Sequence, residues 1–150
     1  MPNDAVAKKM MSIVWTYADK DAAALAEVKN RIGIAAKKEV LLRSSEFVKG
    51  LTFKLPQVFN SEPYYIKIWN WSERDKNILG DFLGHVSMDS YLEHGFMLSA
   101  LVIDDKGDGP GEMFSDMIKM SGAVTDPSED NIRAFWAEQV KKVFAHYKGR

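Results

Sequence analysis

Cysteine is missing from all 150 residues. Its absence excludes disulfides, thiolate metal sites and cysteine nucleophiles together, and fits a reducing compartment. An excess of charge is missing too: 20 Lys and Arg stand against 21 Asp and Glu, a formal net charge of −1. A strongly basic nucleic-acid binder and a strongly acidic DNA mimic are both disfavoured, although a local patch is compatible with that balance. Long apolar runs are also lacking. Met1-Pro2-Asn3-Asp4 is followed by Lys8 and Lys9 with no hydrophobic stretch behind them, so neither a signal peptide nor a membrane span is expected. The expectation is a cytoplasmic protein with no membrane partner. Standard chemical signatures are absent as well: there is no P-loop, no G-x-G-x-x-G after a strand, no G-x-S-x-G and no H-E-x-x-H. Nucleotide-dependent and serine-hydrolase chemistry thereby lose their usual signals, and no cofactor is expected.

What is present is an ordinary globular composition, 46% hydrophobic and 27% charged. The length is that of one domain with a real core, so residues 1–150 are read as a single domain. Val6, Met10, Ile13, Val14 and Tyr17 fall on one helical face over residues 4–18, and Ala22, Leu25, Val28 and Ile32 repeat it over 21–33. Gly33 sits where that second helix can end. Lys38–Arg43 fits either a short strand or a helix. Ser44-Ser45-Glu46 can cap a brief helical turn ending near Gly50, and residues 51–63 read as irregular chain around Pro56, Asn60, Ser61 and Pro63.

Tyr64–Trp71 is rich in β-branched and aromatic residues and is predicted to be a strand, with Tyr64, Ile66 and Ile68 on one side and Tyr65, Lys67, Trp69 and Trp71 on the other. Ser72 with Asp75 makes a capping-box signature. A long helix follows to about Glu93, with Ile78, Leu79, Phe82, Leu83, Val86 and Tyr91 on its apolar face and Gly95 as its stop. Gly80 and Gly84 each cost this helix about 1 kcal/mol relative to alanine. The compensation expected is the close approach of another element. Phe96–Ile103 is a near-continuous apolar run, predicted to be a buried central strand. Glu112–Ser121 reads as a short helix carrying Met113, Met117 and Met120, with core filling as the plain role of the methionines. Asp126 as cap and Pro127 at the first position open the last helix, whose face includes Ile132, Phe135, Trp136, Val140, Val143, Phe144 and Tyr147. The sum is an α+β fold: a helix-dominated single domain with a small two- or three-stranded sheet.

The loop Asp104-Asp105-Lys106-Gly107-Asp108-Gly109-Pro110-Gly111-Glu112 is the most individual feature. Asp104, Asp105, Asp108 and Glu112 cluster at a strand end, where carboxylates can hold a hard cation. The pattern fails as an EF-hand, because Lys106 occupies a ligand position and Ser115 stands where the bidentate glutamate belongs. Asp104-x-Lys106 matches half of a metal-dependent nuclease signature, but the earlier aspartates Asp75, Asp81 and Asp89 fall on the predicted helix. Asp, Lys and Gly also serve any solvated turn, so no metal is expected. Among the histidines, His85 lies in the glycine-rich part of the long helix, where it is either a boundary residue or a group facing a pocket. His94 precedes the helix stop, and His146 reads as surface. Tyr65, Lys67, Trp69 and Trp71, followed by Arg74, mix aromatic and basic groups. Such a face serves as core, as the centre of a protein interface, or as a stacking platform for bases.

The segments Leu83-Gly84-His85, Leu98-Ser99-Ala100-Leu101-Val102 and Gly109-Pro110-Gly111-Glu112-Met113-Phe114 resemble a pattern in small uncharacterised bacterial and phage proteins. There a leucine-glycine helix precedes an L-S-A-L-V-V strand and a Pro-Gly turn. The resemblance covers about residues 79–114. It implies a bacterial or phage origin and brings no activity with it, and the acidic pair Asp104-Asp105 is a departure from it. No compact set of nucleophile, base and orienting group can be assembled. The leading expectation is therefore a non-catalytic binding or interaction protein with another protein as partner, of bacterial, phage or mobile-element origin. Its face would join Trp69 and Trp71 to the Asp104–Glu112 loop. Two alternatives stand beside it. One is a metal-dependent phosphodiesterase or nuclease-type enzyme with Asp104, Asp105 and Glu112 as ligands and Lys106 on the phosphate, His85 being a further catalytic candidate. The other is a single-stranded nucleic-acid binder using Tyr65, Trp69 and Trp71.

Overall fold

The computed structural model describes residues 4–55, 62–107 and 109–148. The elements run α1 (Asp4–Met11), α2 (Ala22–Lys37), β1 (Leu42–Arg43), α3 (Ser44–Val48), β2 (Thr52–Phe53), β3 (Tyr64–Tyr65), α4 (Glu73–His94), β4 (Val102–Ile103), α5 (Glu112–Ser121) and α6 (Glu129–Tyr147). Helices dominate, and the strands form two pairs. β1 lies parallel to β4 with Leu42 opposite Val102, and β2 lies antiparallel to β3 with Phe53 opposite Tyr64. The fold is α+β, and the ambiguous Lys38–Arg43 stretch resolves as strand at its end. Pro56, Asn60 and Ser61 lie outside the described residues.

The organising element is α4. Its capping box forms as its sequence requires: Ser72 Oγ accepts from the Asp75 amide and the Asp75 carboxylate accepts from the Ser72 amide, both at 3.0 Å. Gly95 ends it in the left-handed region at φ +81°, which glycine adopts without strain. Ile78, Leu79 and Phe82 are fully buried along it. Around them pack Met10 of α1, Val28 and Ile32 of α2, Phe53 of β2, Ile118 of α5 and Val143 of α6. Each such side chain contributes about 1.5–3 kcal/mol by leaving water.

Several boundaries differ from those predicted. α1 stops at Met11, and residues 18–20 form a separate 3-10 turn. α2 continues through Gly33 and the chain leaves it at Glu39, where φ is +54°. The last helix is capped by Ser128, whose hydroxyl accepts from the Asn131 amide, rather than by Asp126. Tyr64–Trp71 is strand only over its first two residues and then turns at Ile68–Asn70.

The largest correction concerns Phe96–Ile103. The run is buried throughout, but Leu98–Leu101 is a 3-10 turn and only Val102–Ile103 is strand. The reason lies in its hydrogen bonds, which neighbouring side chains supply in place of a ladder. From α4, Ser90 Oγ donates to Phe96 O at 2.8 Å and accepts from the Leu98 amide at 3.0 Å, while Ser87 Oγ accepts from the Ser99 amide at 2.9 Å. From α6, Gln139 Oε1 accepts from the Met97 amide at 2.7 Å and Trp136 Nε1 donates to Ala100 O at 2.8 Å. Buried backbone groups need partners, and any geometry that supplies them is allowed.

Candidate functional site

On the N-terminal half of α4 the surface opens into a cavity of about 810 Å³. Its floor depends on one turn of that helix. Asp81 accepts from the amides of Tyr17 and Ala18, at 2.9 and 2.7 Å, and so pins the chain that follows α1. Three residues on, a Cβ at Gly84 would stand 2.5 Å from Trp15 Cζ3 and 2.8 Å from Cη2. The indole therefore lies directly on the helix backbone, where only glycine leaves room. This is the close approach that the paired glycines called for. Gly80 faces Met113 at ordinary contact distance, 3.7 Å.

One wall of the cavity is α5, with Met113, Met117 and Met120 at helical spacing; Ile13 and Val14 form another and Trp71 a third. Met117 belongs to the core, but Met120 is 50% exposed and Val14 82% exposed at the opening. Core filling thus describes only part of the methionine stripe. The rim carries Glu73, Asp81, Asp104, Asp105, Glu112 and Asp116, against Lys76 and Lys106 alone.

The acidic loop contributes to this rim, but Asp104 and Asp105 do not converge. Asp104 Oδ1 accepts from the Glu112 amide at 3.3 Å, capping α5 across the loop. Asp105 turns the other way, accepting from the Ser45 amide at 3.0 Å and from Ser45 Oγ at 2.5 Å, and so caps α3. Both act as N-caps supplied from a distance. Arg43 closes over the loop, donating to Asp105 O at 2.8 Å. A Cβ at Gly111 would meet Val102 O at 3.2 Å, which fixes the path through Gly109-Pro110-Gly111. Asp108 lies outside the described residues. Among the described residues no group of three or more His, Asp or Glu side chains is arranged to hold a metal.

Along the aromatic segment burial alternates, with Tyr64, Ile66 and Ile68 on the inner side. Tyr65 and Lys67 are exposed on and after β3, Trp69 is 80% exposed on the turn, and Arg74 is exposed in the first turn of α4. Only Trp71 swings into the cavity beside the loop residues. Tyr64, on the inner side as read, donates its hydroxyl to the buried Asp75. That bond to a carboxylate, then burial, hold its phenol above the ordinary tyrosine range.

His85 is not among the cavity-lining residues. Its Nε2 lies 3.5 Å from Asp19 and its Nδ1 3.4 Å from Asp89, with the ring edge-on to Trp15. It braces the 3-10 turn against α4. His146, read as surface, is half-buried, its ring centroid 4.3 Å from that of His94 where α4 and α6 end. Sequence spacing gave no sign of that pair, which depends on how two helices end side by side. No helix of the described residues is long and apolar enough to cross a membrane. Neither a protein-family model, nor a curated protein, nor a solved structure matches the chain.

Proposed function

We propose that the protein is a non-catalytic binding protein that receives a segment of another protein in the cavity between α1, α4 and α5. The observation carrying this reading is the cavity's surface. About 810 Å³ of space is walled by Met, Trp and Ile side chains and runs out to exposed Val14 and Met120. Exposed apolar surface contiguous with a cavity marks a place where something docks. The neighbouring polar groups support binding over catalysis. Asp81, Asp104 and Asp105 each hold backbone amides, and His85 stands between two aspartates away from the cavity lining. No nucleophile with a positioned base lies among the described lining residues.

Site-specific photocrosslinking in the native cell tests this. A benzophenone side chain at position 14 or 120 should yield one discrete protein adduct. The same group at Leu92, exposed elsewhere on α4, should not. No adduct from either cavity position, or equal adducts from all three, overturns the reading.

A further inference from the structure

We propose that the occupant of this cavity is a basic amphipathic helix of the partner protein, its apolar face against the methionine wall and its Lys and Arg side chains against the rim. The inference rests on the docking reading above and names the chemistry of what docks.

Three features select a helix with that charge. The first is the backbone of the walls. α4 and α5 satisfy their own amides and carbonyls internally, so an extended segment would find few main-chain partners there. Strand addition needs an open sheet edge, whereas helix-in-groove docking needs only side-chain contacts. An incoming helix satisfies its own backbone.

The second is the wall itself. Met113, Met117 and Met120 stand at the spacing of one helical face, and Met113 and Met117 rest over the glycines of α4. Unbranched thioethers adapt to varied apolar side chains, which suits a groove read by pattern rather than by one fixed shape.

The third is charge complementarity. Six carboxylates and two lysines line the cavity. Three of the carboxylates hold backbone amides, and Glu73 pairs with Lys76 at 3.8 Å. Glu112 and Asp116 are exposed, four residues apart on α5, and among the described residues no salt bridge engages either. Like charges at this spacing weaken a helix by a few tenths of a kcal/mol. A cationic partner converts that local cost into attraction and faster association.

The test is selection against the full chain from a displayed library of 18-residue helix-patterned segments. The apolar face is held to Leu, Ile, Phe and Met, and the flanking positions are randomised. Selected segments should be enriched in Lys and Arg at the flanks. Their binding should weaken about tenfold in the exposed double variant E112K/D116K, as two rim pairs turn from attraction to repulsion, and should be lost in M120E. Two circular-dichroism melts confirm that both variants fold. Binders with neutral or acidic flanks that are still blocked by M120E overturn the charge inference and leave the docking cavity standing. Binders indifferent to M120E, or no binders at all, overturn the helix inference. In that case the crosslinking at positions 14 and 120 decides separately whether the cavity docks a protein. Displacement of selected helices by spermidine at equal charge concentration would make the rim a small-cation site and also overturn the inference.

Discussion

The two halves of α4 are used in opposite ways. Its C-terminal half places Ser87 and Ser90 against the 96–101 segment, where each hydroxyl replaces a strand partner. Its N-terminal half places Gly80 and Gly84 under Met113 and Trp15 and leaves a cavity above them. In the first half the buried serine hydroxyls are satisfied and covered by the 96–101 segment. The second is scaffolded with equal care, by Asp81 on the 17–18 amides, but is left open. The contrast teaches that side chains absent from a helix can be as purposeful as those present. The serines complete the fold, and the glycines keep a surface available.

The comparison can be broken most forcefully on the closed side. Gln139→Leu removes the acceptor of the buried Met97 amide. An orphaned buried donor costs about 1–3 kcal/mol, so denaturant unfolding should show a loss near the upper end, with no change in cavity binding. A loss of binding at unchanged stability would mean that the two halves are coupled. Next comes Gly84→Ala. Alanine is the better helix former by about 1 kcal/mol, yet its Cβ would collide with the buried indole of Trp15, and overpacking costs about 1–3 kcal/mol. Net destabilisation with a red-shifted Trp15 emission is expected; stabilisation would show that the indole is not seated there.

These two sites also show what could be read in advance. Gly84 was legible because a glycine inside a strong helical pattern has to be compensated, and the compensation is local to one turn. The capping box at Ser72 and Asp75 was legible for the same reason. The Phe96–Ile103 run was legible as buried but not as a 3-10 turn, since its partners Ser87, Ser90, Trp136 and Gln139 come from two distant helices. Asp104 and Asp105 looked like one cluster because they are adjacent in sequence. Their separation onto α5 and α3 depends on where Ser45 lies in space. The cavity was invisible for a related reason. Its floor requires the chain after α1 to leave the helix at Met11, and the apolar spacing of Ile13, Val14 and Tyr17 suggested the opposite.

Smaller effects sharpen the contrast. Tyr64→Phe removes the hydroxyl that Asp75 accepts, and a hydrogen bond to a charged group contributes about 1.5–3 kcal/mol. The loss should sit at the lower end, since Asp75 keeps the Ser72 amide. The bond also has a pH signature. Its folded pKa is raised, so its contribution is fully present below the free phenol's value of about 10 and is lost as pH rises through the raised value. Wild-type stability should therefore fall in that alkaline window more than that of Tyr64→Phe. Equal slopes would remove the role assigned to the bond. Finally, Gly80→Ala meets only the Met113 side chain at ordinary contact distance. It should stabilise the chain by up to about 1 kcal/mol, opposite in sign to Gly84→Ala one turn away.

The two aspartates of the loop have one further consequence. Asp104 holds the first amide of α5 and Asp105 the amide of Ser45 in α3, so the starts of two helices hang on adjacent residues beside the cavity mouth. Local opening of that loop would release both amides at once. Their hydrogen exchange should therefore rise and fall together, and slow together when the cavity fills, which makes Ser45 a distant reporter of an event at α5.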